Sequence, residues 1–160
     1  MIEMQLVGVR VELPTNQPIV LLRERDGERF LPIFIGPVEA TAIAFALQGI
    51  VTPRPMTHDL LKNVLEETGV GVDRVVISEL RDATFYATLE MSKDGKAYSV
   101  SSRPSDAIAL AVRGGVPVFA NPDVLNEAGI VIRDDDEEQE IERFREFIDS
   151  VSPEDFGAEQ

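Results

Sequence analysis

The residues of this chain that could do chemistry are few, and they cluster at the starts of predicted helices. In Arg54-Pro55-Met56-Thr57-His58-Asp59 the single histidine stands beside a carboxylate, and Thr57 is a natural N-cap that would put both in a first helical turn. Arg103-Pro104-Ser105-Asp106 is built similarly: a residue before proline disfavours helical geometry, so Arg103 reads as the N-cap and Asp106 as the third helical residue. Glu39 follows Pro37 at the start of an earlier helix. If these groups converge, Glu39, Asp59 and Asp106 could hold Mg²⁺ or Mn²⁺ through oxygen ligands, and Arg54 or Arg103 could clamp a phosphate. A metal-activated water would then attack phosphorus, with His58 as a further candidate.

The same residues have a plainer reading. A carboxylate in a first turn stabilises exposed backbone N–H groups by about 0.3–1 kcal/mol and needs no ligand. A cation beside a helix N-terminus is misplaced unless it pairs with an anion, so local pairing of Arg54 with Asp59 and of Arg103 with Asp106 is the structural alternative. Ser102 and Ser105 lack an evident base and read as turn and capping residues. There is no phosphate-cradling glycine loop, no nucleophile elbow and no metal motif of fixed spacing.

The elements that must position these groups include a unit that reads as if written twice. Asp26-Gly27, a strand through Phe30 to Ile35, and a helix opening Pro37-Val38-Glu39 form the first copy. Asp94-Gly95, a strand ending at Ser102, and the helix opening Pro104-Ser105-Asp106 form the second. Asp-Gly between alternating segments signals a hairpin, proline suits the first helical position, and Gly49 and Gly114-Gly115 suit the helix ends. This ββα pseudo-repeat makes Glu39 and Asp106 equivalent.

Around the repeat, residues 2 to 13 read as a long strand whose apolar phase changes between Leu6 and Val7, which predicts a bulge near Gly8. Pro32 inside the strand after Gly27 marks an edge or bulge position. The helix 37–48 is apolar nearly all round and must be buried against a sheet or another subunit, which predicts a homodimer. A second helix over 57–68 carries Leu60, Leu61, Val64 and Leu65 as its apolar stripe. Strands are expected at 72–80, 84–91 and 96–102, a helix of small residues at 104–113, a short strand at 116–119 and a helical turn at 123–128. The fold class is α+β, with antiparallel hairpins and short apolar helices packed on the sheet.

At 160 residues the chain is one domain with an appendage: a domain over 1–133 and an acidic tail over 134–160. The tail holds 12 acidic and 2 basic residues, so most of the net charge of −14 belongs to it. Ile141, Phe144, Ile148 and Val151 recur at helical spacing there, and the short amphipathic helix they predict needs a docking surface or a protein partner. Cysteine is absent, which excludes disulfides and thiolate sites and suits a reducing cytoplasm. The sequence starts in strand-like residues without a basic leader or a membrane-length apolar run, so a soluble, cytoplasmic protein is expected, with no membrane. A strongly basic surface is absent, which argues against tight, sequence-independent nucleic-acid binding but leaves brief contact through a local patch.

Leu31-Pro32-Ile33-Phe34-Ile35-Gly36 with Glu39-Ala40, Arg54-Pro55 with Thr57-His58-Asp59-Leu60, and Arg103-Pro104-Ser105-Asp106-Ala107-Ile108-Ala109 are three separated blocks in order. On these blocks the chain resembles the bifunctional nuclease family over residues 1 to 133. The resemblance implies RNase and DNase activity, with nucleic acid as substrate; no organic cofactor is expected. Its motifs match here at Glu39, Arg54, His58, Asp59, Arg103 and Asp106. In that setting Asp59, Asp106 and Glu39 would bind metal or orient water, His58 would be the general acid or base, and Arg54 and Arg103 would hold phosphate. The competing expectation is a non-catalytic dimeric interaction or regulatory module, because an acidic surface repels phosphates.

Overall fold

The computed structural model describes residues 1–12, 15–132 and the isolated positions 141, 142 and 145. The amphipathic helix expected in the tail falls outside the described residues apart from those three positions. The elements run β1 (Ile2–Glu12), β2 (Gln17–Glu24), β3 (Arg29–Phe34), α1 (Pro37–Gln48), α2 (Thr57–Glu67), β4 (Gly71–Arg81), β5 (Thr84–Lys93), β6 (Lys96–Ser102), α3 (Pro104–Gly114), β7 (Val118–Ala120), α4 (Pro122–Ala128) and β8 (Ile130–Val131). The strands form one eight-stranded sheet in the order β6-β5-β4-β7-β1-β2-β3-β8. Every pairing is antiparallel except β4 with β7. The fold is α+β, as the sequence predicts.

The repeat is larger than two strands and a helix. β1-β2-β3-α1 and β4-β5-β6-α3 have the same connectivity and extend outward on opposite sides of β7. Since β7 is antiparallel to β1 and parallel to β4, the two units run in opposite directions and converge at the centre of the sheet. Both helices begin with proline at the first position, carry their acid at the third, and end on a left-handed glycine, Gly49 at φ 67° and Gly115 at φ 65°.

In β1 the register shifts between Leu6 and Gly8, which lets Met4 and Val9, residues of opposite parity, both enter the core. Pro32 pairs across from Leu21 on one side, while β8 pairs only with Arg29 and Phe30 on the other. Proline therefore sits where no described strand pairs with the outer edge of β3, and no ladder donor is missed.

The apolar helix α1 finds its cover within the chain. Ala40, Thr41, Ala42, Ile43, Ala44 and Phe45 are buried against β1, β2 and α3. The small residues of α3, Ala107, Ala109 and Ala111, are buried at or below 2% exposure and let the two helices approach closely. The reason given by sequence for a second subunit is thus met by α3.

Helix α2 departs from expectation. Its predicted stripe is mostly outside: Leu60, Leu61 and Val64 are exposed, Leu65 packs against the core, and the one buried residue of the helix is His58. Its N-cap is Met56 rather than Thr57, because the Asp59 carboxylate accepts the Met56 N–H at 2.9 Å and does the capping from the third position.

The turn joining β4 to β5 consists of Asp82 (φ 52°) and Ala83 (φ 61°), both left-handed. This geometry matches a tight hairpin but costs alanine about 1 kcal/mol, which glycine would not incur. Ala83→Gly is expected to raise stability by about 0.5–1 kcal/mol, measured as a higher denaturant midpoint at unchanged slope.

Candidate active site

Three helix starts meet around the Arg103–Asp106 pair. Arg103 is held in extended geometry (φ −69°, ψ 143°) ahead of Pro104, so its side chain turns back over α3. Its Nε donates to Asp106 Oδ2 at 2.8 Å and its Nη2 to Asp106 Oδ1 at 3.1 Å, a two-pronged pair. The same Nη2 lies 3.1 Å from Glu39 Oε1 at the start of α1. Glu39 reaches it by folding back over its own helix start, where a side chain at Gly36 would collide with the carboxylate. From α2, His58 Nε2 lies 2.9 Å from Asp106 Oδ1.

His58 is 8% exposed, whereas the Arg103 side chain is 64% exposed, so a buried imidazole and an open guanidinium share one anion. Burial pushes the Asp106 carboxyl up, but hydrogen bonds from Arg103 and His58, with their charges, outweigh it and hold the group below its ordinary range. Ionised Asp106 accepts from the ring, which places a proton on His58 Nε2. His58 Nδ1 has no hydrogen bond to a described residue, and no side-chain nitrogen or oxygen among the described residues is buried without a partner. Nδ1 is therefore not sealed off from solvent. Chemically this is a base oriented by a carboxylate, with a cation next to it.

The remaining candidates lie apart from this cluster. Asp59 pairs with Arg113 through Nε at 2.7 Å, and Arg113 also donates to the Ala109 carbonyl at 2.9 Å and the Ala42 carbonyl at 3.0 Å. Burial pushes the Asp59 carboxyl up, and the Met56 N–H, the Arg113 hydrogen bond and the Arg113 and His58 charges bring it below the ordinary range. Arg54 is exposed and makes no side-chain ion pair with a described residue. Of the two local Arg-Asp pairs expected, Arg103–Asp106 forms and Arg54–Asp59 does not. Asp59 is taken by Arg113, a partner 54 residues away that sequence reasoning missed. The signal available was weak: a lone cation in the last turn of an apolar helix also complements the helix dipole without any partner.

The carboxylates considered as metal ligands are each engaged by arginine, Asp106 and Glu39 by Arg103 and Asp59 by Arg113. Among the described residues no three or more His, Cys, Asp or Glu side chains are grouped to share one ion. As arranged, this donor set does not fit a divalent cation.

Beside Arg103 a cleft of about 680 Å³ opens. Its walls are the β1–β2 turn, the β3–α1 junction, the β4–β5 turn and the β6–α3 junction, corresponding segments from both units of the repeat. No helix among the described residues is long and apolar enough to cross a membrane.

Comparison with known proteins gives the chain a family. The family described as the bifunctional nuclease domain matches residues 20–133, more than half of the chain and all of the cluster. An uncharacterized protein of Mycobacterium tuberculosis is 47% identical over 164 residues, covering 98% of each chain. Bifunctional nuclease 1 of Oryza sativa subsp. japonica is 31% identical over 120 residues, 73% of this chain and 36% of that protein. Bifunctional nuclease 2 of Arabidopsis thaliana is 28% identical over 128 residues, 76% of this chain and 39% of that protein. The chain thus spans little more than a third of the plant proteins and nearly all of the mycobacterial one. With the three motif blocks inside the matched span and meeting around Asp106, the chain belongs to the bifunctional nuclease domain family.

Proposed function

We propose that the protein is a nuclease that hydrolyses phosphodiester bonds of RNA, DNA or both. The observation that carries this reading is the 2.9 Å hydrogen bond between His58 Nε2 and Asp106 Oδ1, which leaves Nδ1 as the ring nitrogen able to act as a base, with the Arg103 cation on the same carboxylate. In the reaction, Nδ1 takes a proton from a water molecule as the water oxygen bonds to phosphorus. The P–O bond to the departing sugar oxygen breaks, and that oxygen takes a proton from solvent. Asp106 keeps the imidazole in the right tautomer and stabilises its cation, and Arg103 opposes the charge that builds on the phosphoryl oxygens. The plant relatives named as bifunctional nucleases support the reaction class.

Mg²⁺ or Mn²⁺ remains part of the proposal as a separate arm, because an ion at Asp106 and Glu39 would have to displace Arg103. Incubating purified wild-type protein with single-stranded RNA and DNA, in Mg²⁺, Mn²⁺ and chelator, tests both points. Cleavage in chelator at the rate seen with metal is expected from the side chains as arranged. Cleavage confined to the metal arms would mean that the side chains as arranged are not sufficient and that an ion takes part. Absence of cleavage in every arm would refute the nuclease reading.

One observation favours a second reading, a non-catalytic dimeric module whose tail recruits a protein partner. Leu60, Leu61 and Val64 present an exposed apolar face on α2. Inert protein that light scattering finds dimeric, and Leu60→Ser finds monomeric, would support that reading.

A further inference from the structure

The cleft beside Arg103 has a composition that the cluster itself does not explain. Its lining includes one charged side chain, Arg103, in a chain whose net charge is −14. Arg103 commits Nε and Nη2 to carboxylates, while Nη1 makes no hydrogen bond to a described residue. Phe34, at the end of β3, lines the same cleft and is 56% exposed, with Phe85 of β5 also in the wall. A phenyl ring more than half open in a cleft exposes apolar surface to water, which is a cost unless something covers it.

The repeat sharpens this. Counting back from the first helical proline of each unit, Arg103 stands where the first unit has Gly36, and Phe34 stands where the second has Ser101. The two copies therefore contribute different chemistry to a shared cleft, an aromatic face from one and a cation from the other. The ligand class that calls for both is a base attached to a phosphate. A volume of about 680 Å³ lies within the range of small-molecule sites.

We propose that this cleft is a nucleobase subsite in which the Phe34 ring stacks on an unpaired base of single-stranded nucleic acid while Arg103 Nη1 holds the adjoining phosphate. The inference rests on the nuclease reading and adds a substrate class to it. Bases in a duplex already have both faces covered, so the subsite selects single strands, and stacking tolerates every base because each has a π-face. Stacking on an aromatic residue contributes enough that its removal weakens binding by roughly tenfold.

The chain contains no tryptophan, so Phe34→Trp places a single indole reporter in the cleft of the full-length protein. The probe is a twelve-residue phosphorothioate oligothymidylate, with its binding followed independently by anisotropy of a terminal dye. Emission of the introduced indole is expected to be quenched in step with binding, and an abasic oligomer of equal length and charge is expected to bind without quenching. Phe34→Ala is expected to bind the oligothymidylate about tenfold more weakly. Binding by anisotropy with a silent indole, or equal quenching by the abasic oligomer, overturns the subsite and leaves the nuclease reading standing. Wild-type protein that neither binds nor cleaves single strands overturns both. Circular dichroism of each variant excludes misfolding as the cause.

Discussion

Replacing His58 with alanine is expected to slow phosphodiester cleavage by about 10²–10⁴-fold, the range contributed by a positioned acid–base group. The size follows from the arrangement: the imidazole has one nitrogen fixed by Asp106 and the other without a partner among the described residues, and no other described side chain is poised to replace it. Asp106→Asn should come close to the same loss for a different reason. An asparagine amide can donate to Nε2 as readily as its oxygen can accept, so the ring can flip its proton to Nδ1 and lose the lone pair there. The same substitution would also leave Arg103 with Glu39 as its one remaining carboxylate partner in the cluster. Glu39→Gln touches the base only through Arg103 and should cost much less. The measurement is the initial rate on dye-labelled RNA and DNA for proteins purified in parallel, with thermal melts to confirm folding. His58→Ala protein cleaving at the wild-type rate would assign the activity to another site or to a contaminant.

The fold was legible where local rules and tertiary packing agree. The bulge near Gly8, the Asp94-Gly95 hairpin and the Pro37 and Pro104 helix starts all declare themselves by side-chain parity or by a residue with restricted backbone freedom. The third-position carboxylates, Glu39 and Asp106, are equivalent in structure as they are in sequence. The full βββα repeat was hidden because β1 and β4 share no turn signal, and the β4–β5 turn carries Asp82-Ala83 without glycine. β8 escaped notice since two residues contain no periodicity. In α2 the pattern misled: Leu60 and Val64 have the spacing of a core stripe, yet the helix lies on α3 and inserts His58 instead. For the site, sequence named every member of the Asp106 cluster but not its wiring. Local spacing could suggest Arg103 with Asp106, three residues apart, whereas His58 with Asp106 and Asp59 with Arg113 are 48 and 54 residues apart and are joined only by the packing of α2 on α3.

That packing makes Arg113 the residue whose loss should cost the most stability. Its side chain is 7% exposed and ties three helices together, donating to Asp59 on α2, to the Ala42 carbonyl on α1 and to Ala109 in its own helix. Arg113→Ala is expected to destabilise the protein by about 2–3 kcal/mol, below the cost of splitting a fully buried pair because Asp59 is partly open to water. Lysine should restore little, since one ammonium cannot span three acceptors in different directions. Because α2 buries only His58, the damage should appear there first, as faster amide exchange over residues 57–67 and reduced cleavage from a displaced imidazole. Acid offers an independent readout. Asp59 and Asp106 are both held below their ordinary range, so the stability they contribute is present above the unfolded carboxylate pKa of about 4 and is lost as pH falls through their lower folded values. Removing Arg113 raises the Asp59 carboxyl toward its unfolded value, so the variant should lose less additional stability between neutral pH and acid than the wild type. Denaturant midpoints measured across that window decide the matter: parallel curves for the two proteins would mean that α2 is held by its apolar contacts, and that the guanidinium is a passenger.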